Sequence, residues 1–328
     1  MRGRTCLSTR PLHEASDLYQ PLILDRFDDD FSSRARPEDW QILKGLRDHP
    51  RYLDGVIAYD DLLPEIFANN IALNRLVTQV ERMHTIAFTL HLYDTFDPND
   101  PTTGLTVSRL QHLCTVHNLA SNGGVVAFMA LMTVAGYLSR QRSALDRRVV
   151  HYAPTPKFMD PVNRWTRAIL ASLDAIEPGA QLAAAFDAHP RFGWDMREAS
   201  VQAILGGWAP TAPFPEAAHF INAHGGWMLM CHATAILLRD GGCKEIVPIS
   251  IDLANLGKRF GVSRSHLRRL LEGGYEQGLL DAPPRNGSHV LLSPRLVAAC
   301  LSAQAGELAT HRRSAHWARD RLRSAAAA

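Results

Sequence analysis

The chain has 328 residues, a formal net charge of +2, 46% hydrophobic residues and 21% charged residues. This length is enough for two domains with separate cores, and the composition excludes a disordered or fibrous chain. Because the charges nearly cancel, the total does not argue for nucleic-acid binding, and any basic surface must be local. The five cysteines are dispersed without a CxxC pair, and the N-terminus lacks the apolar run of a secretory signal. Both features indicate a cytoplasmic protein.

The N-terminal part begins with an irregular lead-in. Residues 1–35 are expected to lack regular structure, with the acidic run 28–30 as a solvated surface. A first repeat, made of helices and a winged helix, is predicted over residues 36–180. Its leading helical region covers residues 71–96, where apolar side chains recur at helical spacing. The Asp- and Pro-rich loop 97–101 ends this region.

Residues 105–155 are predicted to form the first winged helix, with two short helices followed by a β-hairpin. The stretch 119–138 has no charged residue, but its Ser-Asn-Gly-Gly segment leaves about fourteen strongly apolar positions, fewer than the roughly 17 to 25 of a membrane span. We therefore expect a buried helix and no membrane association. The second helix, 121–132, is uncharged. Base reading there would depend on three polar side chains, those of Asn118, Ser121 and Asn122.

The wing of this first winged helix is rich in arginine. Its four cations are Arg140, Arg142, Arg147 and Arg148. Arginines on a hairpin suit contacts with phosphates or with the minor groove. Two interpretations are open. Either the first half contacts the phosphates or the minor groove of the DNA, or it is a degenerate copy that completes a dimer-like core.

A second repeat is predicted over residues 181–328. A helix at 160–176 closes the first repeat, and a helical region at 215–239 leads the second after a proline-rich loop. The second winged helix covers about residues 247–300. A closing helix is expected from residue 294 to about 323.

The second winged helix carries the clearest local signals. Ser250 is expected to cap its first helix, and Gly261 to end that helix in a left-handed conformation. Val262 fills the turn, and Ser263 caps the next helix. The apolar positions that face one side are Leu253, Leu256, Phe260, Leu267, Leu270 and Leu271. This spacing predicts a helix-turn-helix.

The opposite face of this helix-turn-helix is basic. The candidate DNA-binding residues are Lys258, Arg259, Ser263, Arg264, Ser265, His266, Arg268 and Arg269. A helix in the major groove needs hydrogen-bond donors near its N-terminus and cations towards the phosphates. The wing follows at an Asn-Gly hairpin signal, with Arg285 and Asn286 at its tip. The alternative is a winged helix used for protein contacts.

Short segments recur in the same order at a nearly constant spacing, which indicates an internal duplication. The matches are residues 48–52 with 188–192 at an offset of 140, 110–113 with 253–256 at 143, and 136–138 with 278–280 at 142. The predicted fold is therefore mainly α with small β-wings. Two tandem winged helix-turn-helix repeats are joined by a helical, dimerisation-like core to give a pseudo-dimer.

Residues 146–155, Asp-Arg-Arg-Val-Val-His-Tyr-Ala-Pro-Thr, resemble the wing and exit strand of the MarR family of winged-helix regulators. The plan of each half is similar to that family's, so the resemblance covers about residues 36–328 and implies two fused units. It also implies double-stranded DNA as partner and a small aromatic or anionic effector between the dimerisation helices and the DNA-binding lobe. No motif identifies an effector residue. The uncharged first recognition helix departs from the family and favours an asymmetric DNA site.

Other functional classes find little support in the sequence. The pairs His84/His91 and His224/His232 have spacings of seven and eight, which lack the i, i+4 pair of a strong metal motif. No nucleophile elbow and no dinucleotide-binding fingerprint follow a strand. We expect no metal, no cofactor and no enzymatic activity.

The leading hypothesis is a sequence-specific transcriptional regulator that acts as a single-chain pseudo-dimer with two unequal heads and can associate further with itself. The alternatives are a plasmid- or phage-type replication initiator with tandem winged helices and a winged-helix adaptor for other proteins. A further alternative, an enzyme with winged helices as a dimerisation module, has only about 35 residues left for catalysis.

Overall fold

A computed structural model of the chain describes residues 24–68, 74, 80–100, 102–143, 146, 148–239, 246–285 and 289–327. The expectation of a mainly helical fold with small β-hairpins is confirmed. The helices are α1 Asp28–Ser33, α2 Pro37–Arg47, α3 Tyr52–Phe67, α4 Val80–Asp94, α5 Val107–Val116, α6 Asn122–Val134, α7 Pro156–Ile176, α8 Leu182–Ala188, α9 Phe192–Leu205, α10 Pro215–Ile221, α11 Gly226–Arg239, α12 Leu253–Phe260, α13 Arg264–Glu276 and α14 Pro294–Ala327. The strands are β1 Leu138–Arg142, β2 Val150–Pro154, β3 Ile249–Ser250, β4 Leu280–Arg285 and β5 His289–Leu292.

Each half contains two helices followed by an antiparallel hairpin. In the first helix–hairpin unit, residues 107–154, α5 and α6 precede the β1–β2 hairpin. In the second helix–hairpin unit, residues 249–292, β3 lies before α12 and α13 and pairs with β5, which pairs with β4. Each hairpin leads directly into a long helix, α7 in the first half and α14 in the second.

The helix α14 is the centre of the molecule. Its 34 residues extend over about 50 Å, and it packs against α2, α7, α9 and α10. Most of the positions from 296 to 318 are buried, and many of them are Ala or Ser. These small side chains allow the neighbouring helices to approach closely. At Gly306, a Cβ atom would lie 2.7 Å from the carbonyl oxygen of Pro210, so the neighbouring loop touches the helix backbone.

The two helix–hairpin units relate differently to the hydrophobic core. The core of the second unit is continuous with that of the central helices, because Leu253, Leu267 and Val290 belong to the same buried cluster as Leu301. The first unit has a cluster of its own, which includes residues of α4 and Val201 of α9. The first unit is therefore the more separate of the two in its packing.

The packing of the central helices is reciprocal between the halves. The offset of about 140 residues relates α2 to α8, α3 to α9, α4 to α11 and α7 to α14. The pair α3–α7 then corresponds to α9–α14, and both pairs are in contact. Contacts between the halves are exchanged in the same way, with α3–α11 corresponding to α9–α4 and α2–α14 to α8–α7. This is the pattern of an approximate two-fold arrangement within one chain.

The N-terminal lead-in differs from its expected irregular form. Asp25–Phe27 is a turn of 3-10 helix, and α1 follows it. The acidic run does more than face solvent, since Asp28 lies 2.6 Å from the fully buried guanidinium of Arg47. Asp30 forms ion pairs with Arg34 and Arg295. A buried cation needs a carboxylate nearby, and this requirement orders the segment.

Several predicted helix bounds are also revised. The helical region 215–239 is two helices, α10 and α11, separated by a turn in which Gly225 has a φ of +73°. The helix expected at 160–176 begins at Pro156, and the last helix continues to Ala327. Of the region 71–96, the structure describes residue 74 and residues from 80 onwards. Within the described part of the chain, no helix is both long enough and apolar enough to cross a bilayer.

Candidate nucleic-acid interface

The first helix of the second unit is capped by a residue other than the one expected. The side chain of Asp252 accepts hydrogen bonds from the backbone N–H groups of Ala254 at 3.1 Å and Asn255 at 3.0 Å. Ser250 was expected in this role, and that prediction is wrong. Its backbone belongs to β3 and pairs with His289. Strand pairing with a distant segment therefore moves the start of α12 two residues along the chain.

The turn between α12 and α13 matches its sequence signals. Gly261 ends α12 with a φ of 70°, and the side chain of Ser263 caps α13 by accepting from the N–H of His266 at 3.1 Å. The turn is tight, because a Cβ atom at Gly257 would lie 2.5 Å from the carbonyl oxygen of Val262. Val262 is buried, as predicted for the residue that fills the turn.

The helix α13 has the expected two faces. Its buried side contains Leu267, Leu270 and Leu271, which pack into the core. Its outer side exposes Ser263, Arg264, Ser265, Arg268 and Arg269. The N-terminal half of α13 thus presents a row of hydrogen-bond donors and cations to solvent.

Carboxylates from the protein neutralise two cations of this surface. Arg268 pairs with Glu272 at 2.8 Å, and Arg259 pairs with Glu65 of α3. Among the residues that the structure describes, no carboxylate lies within ion-pair distance of three exposed cations, Lys258, Arg264 and Arg269. The uncompensated positive charge therefore lies at Lys258 and Arg264, on either side of the turn between α12 and α13, and at Arg269 further along α13.

The ring of His266 is turned towards the protein. Its Nε2 atom is 3.0 Å from the carbonyl oxygen of His224, in the loop before α11. The sequence placed this histidine beside the exposed arginines as a base-contacting residue. In the structure its ring is half-buried and joins α13 to the central helices, so a contact between this ring and a base would require exchange of that hydrogen bond and stays a prediction.

The β4–β5 hairpin forms where it was expected, and Arg285 pairs with His289 in its register. The description of Arg285 is limited to its backbone, and Asn286 lies outside the described residues. Their predicted contacts at the tip of this wing therefore remain predictions.

The first unit repeats the turn geometry of the second with different chemistry. Asn118 adopts a left-handed conformation with a φ of 53°, and the side chain of Ser121 caps α6 by accepting from Gly124 N at 3.1 Å. Asn122 is exposed, but its Oδ1 atom accepts from Thr115 Oγ1 at 3.1 Å. Bidentate recognition of adenine needs both polar atoms of the amide, so this hydrogen bond would have to be exchanged on binding.

The rest of α6 is uncharged and partly apolar on its outer side. Val126, Leu131 and Val134 are 49%, 52% and 88% exposed. The cations of this unit lie on its hairpin instead. Arg140 and Arg142 are exposed on β1, and Arg148 is 95% exposed despite an ion pair with Asp146. Arg147 lies outside the described residues.

Three local features recur at the offset of 142 to 143 residues. Asn118 and Gly261, 143 residues apart, are both left-handed. Ser121 and Ser263, 142 residues apart, both cap the second helix of their unit. Gly136 and Gly278 precede the two hairpins with φ values of 76° and 70°. Of these, the left-handed pair Asn118 and Gly261 supports the predicted internal duplication independently of side-chain similarity, because the two residues differ in type and share only their backbone conformation.

A second feature, which no sequence pattern indicated, is a cavity of about 470 Å³ between the central helices and the end of α12. Helices α3, α4, α7, α9, α11 and α14 contribute to its wall, together with Phe260 at the end of α12. Three tryptophans line it, Trp165, Trp208 and Trp227. The signal that could have revealed it is Glu307, an acidic residue within the otherwise apolar, Ala-rich stretch of α14.

Comparison of the chain with protein-family models, with curated proteins and with solved structures finds no match. Among the residues that the structure describes, no group of three or more His, Cys, Asp or Glu side chains is arranged to hold a metal ion.

Proposed function

We propose that this protein is a sequence-specific, double-stranded-DNA-binding transcriptional regulator with two winged helix-turn-helix heads in one chain. The observation that carries the proposal is the exposed N-terminal half of α13, with Arg264, Ser265 and Arg269 directed away from the core. A capped helix of this kind, preceded by a tight turn and followed by a hairpin, is the element that other winged-helix proteins insert into the major groove. The likeness to the MarR family and a cytoplasmic location are parts of the same proposal.

The reciprocal packing of the two halves supports a pseudo-dimer. In a symmetric dimer, two recognition helices contact successive major grooves about one helical turn apart. One chain with an internal two-fold presents the same arrangement without association. Since α6 is uncharged and α13 is basic, the two heads would contact unequal half-sites.

The two units would make different kinds of contact with DNA. The uncharged α6 offers Ser121 and Asn122 to bases, while Arg140, Arg142 and Arg148 on its hairpin suit phosphates, which give affinity without sequence information. In the second unit, Arg264 and Arg269 suit base edges and nearby phosphates. The overall charge of +2 is compatible with this division, because the cations are local.

The test starts with selection of a binding site by the purified protein from random duplexes and from genomic DNA, followed by gel-shift titration. The double substitution Arg264→Ala with Arg269→Ala is expected to weaken specific binding at least about 30-fold, since each base contact contributes roughly 1 to 3 kcal/mol. The matched control is Arg164→Ala with Arg323→Ala, which removes two exposed arginines of α7 and α14. Equal affinity of both doubles for the selected site contradicts the proposal.

The hairpin of the first unit has a separate signature. If Arg140 and Arg142 contact phosphates, their replacement by alanine is expected to lower the dependence of log K on log salt by about 0.9 per lost contact. The preferred sequence should stay the same, because phosphate contacts do not discriminate bases. An unchanged salt dependence would show that these two arginines do not contact the DNA phosphates.

A second candidate function, a winged-helix adaptor for another protein, is favoured by the exposed apolar residues of α6. It predicts no DNA affinity at low salt. A replication initiator would bind a different kind of DNA site. Footprinting would then show iterated sites rather than one promoter site.

A further inference from the structure

The cavity between the central helices and the end of α12 has the size of a binding site for a small organic molecule. Its volume of about 470 Å³ lies within the range of sites that hold drug-sized ligands. Most of the wall is apolar, with contributions from Leu63, Ile86, Phe158 and Met196. The rings of its three tryptophans offer surfaces on which an aromatic group or a cation can stack.

One carboxylate stands in this apolar wall. Glu307, from the middle of α14, accepts a hydrogen bond from the hydroxyl of Tyr59 at 2.7 Å. Trp227 in turn donates its indole N–H to the Tyr59 hydroxyl at 3.3 Å. Among the described residues, no cation lies within ion-pair distance of Glu307. Within the described part of the chain, the carboxylate is therefore held in place by neutral groups.

Among the wall residues that the structure describes, no cation is left without a balancing charge. Arg197 pairs with Asp94 at 2.7 Å, so its charge is already balanced, although its Nη2 atom has no hydrogen-bond partner among the described residues. His311 is buried against Trp165, and burial lowers its pKa to about 4, which leaves the ring neutral. Its Nδ1 atom likewise has no partner in the described part of the chain. The remaining titratable wall residue, His84, already engages a neighbouring group.

The geometry points to an aromatic ligand with one protonated amine, whose ammonium group pairs with Glu307 while its ring lies among the tryptophans. An aromatic anion would meet the carboxylate and, among the described wall residues, no unbalanced cation. The free nitrogen atoms of Arg197 and His311 suit neutral polar groups of such a ligand, such as a hydroxyl or carbonyl. The cavity thereby selects for charge as well as for size.

The position of the cavity gives this ligand a route to regulation. Its wall includes Phe260 at the end of α12 and, on the other side, Ile86 of α4 and Phe158 of α7, which belong to the buried cluster against which the first unit packs. A bound ligand therefore contacts the second unit directly and reaches the first unit only through the buried cluster against which that unit packs, and it can favour one spacing between the two. This step rests on the proposed DNA-binding function, whereas ligand binding itself does not.

Three probes that share one ring system isolate the effect of charge. Isothermal titration of the full chain without DNA compares 2-naphthylmethylammonium, 2-naphthylmethanol and 2-naphthoate. The ammonium probe is expected to bind about tenfold or more tightly than the neutral alcohol, as for a hydrogen bond to a charged group. The carboxylate probe is expected to bind most weakly. Absence of ammonium binding, or tighter binding of the carboxylate, overturns the inference.

The variant Glu307→Gln keeps the shape of the wall and removes its charge. It is expected to lower the affinity for the ammonium probe about tenfold and to leave that for the alcohol within about twofold. The matched control, Glu38→Gln on the exposed side of α2, should change neither. An equal loss for all three probes in Glu307→Gln contradicts a charge-specific role, and circular dichroism checks that the variant is folded.

The affinity for the ammonium probe should also depend on pH in the range where Glu307 ionises. Burial raises the pKa of Glu307 to about 7. Among the groups around it, burial raises the pKa values of Tyr59 and Cys231 far above this range, and His311 stays neutral. Binding is expected to weaken about tenfold from pH 8 to pH 6 in the native protein and to stay constant in Glu307→Gln.

Gel shifts with the selected DNA, in the presence and absence of the ammonium probe, separate the two proposals. A change in DNA affinity that disappears in Glu307→Gln supports regulation through this site. Probe binding without any DNA binding supports the ligand site and overturns the proposed function. DNA binding without probe binding supports the proposed function and overturns the ligand site.

Discussion

Replacement of Glu307 by Gln should make the stability of this protein less dependent on pH. The side chain lies in the wall of the cavity, where Tyr59 donates to it at 2.7 Å. Gln has nearly the same shape and can accept the same hydrogen bond, but it does not titrate. The substitution therefore isolates the ionisation of one carboxyl group.

The magnitude follows from the pKa of this group in the folded and unfolded states. Burial raises the pKa of Glu307 from 4.5 to about 7. Below pH 4.5 the carboxyl is protonated in both states and its full contribution to stability is present. As the pH rises towards 7, the unfolded chain ionises first and that contribution is lost. At roughly 1.36 kcal/mol per pKa unit the loss is at most about 3 kcal/mol, and access from the cavity lowers it to about 1 to 3 kcal/mol.

The measurement is urea unfolding, followed by circular dichroism, of the native protein and Glu307→Gln at pH 5, 6, 7 and 8. The native protein should lose about 1 to 3 kcal/mol relative to the variant between pH 5 and pH 8, because all other groups titrate alike in both. Glu38→Gln serves as the exposed control. A stability difference that stays constant within about 0.5 kcal/mol, or that grows in the opposite direction, refutes the reasoning.

The remaining predictions concern buried or tightly packed positions, with urea unfolding as the common measurement. Arg47→Ala removes a fully buried side chain together with its ion pair to Asp28, which keeps only the longer contact with Lys44, and should cost about 3 to 5 kcal/mol, against less than about 0.5 for the exposed Arg36→Ala; equal losses would contradict this. Gly257→Ala places a Cβ atom 2.5 Å from a backbone oxygen and should cost at least about 1 to 3 kcal/mol, whereas Gly45→Ala, with open space around it, should stabilise α2 slightly. Asp252→Ala should cost about 1 kcal/mol as a lost helix cap, and no change would argue against its capping role.

The two heads of the proposed regulator differ in the chemistry of their outer surfaces. The head with α13 carries exposed arginines, while the outer side of α6 carries apolar residues. In a homodimer both heads are identical by symmetry, and such a difference cannot arise. In the proposed single-chain regulator each head can change separately, which would allow one head to contact bases and the other the phosphates.

Local features of the fold could be predicted from the sequence because they depend on neighbouring residues. Gly261 ends α12 since a left-handed residue without a side chain fits there, and Ser263 caps α13 through its own side chain. The leucine stripe of α13 follows from helical periodicity. The ordered matches at offsets of 140 to 143 likewise needed no coordinates.

Only the tertiary structure decided which of these residues are available for function. Ser250 is drawn into β3 by pairing with β5, so Asp252 takes over the cap. Arg259 is neutralised by Glu65, 194 positions earlier in the chain, and His266 is held by the carbonyl of His224. Such contacts join segments that are far apart in sequence, and no local pattern encodes them. The cavity around Glu307 has the same origin, because six helices from both halves have to pack together before an apolar wall encloses that carboxylate.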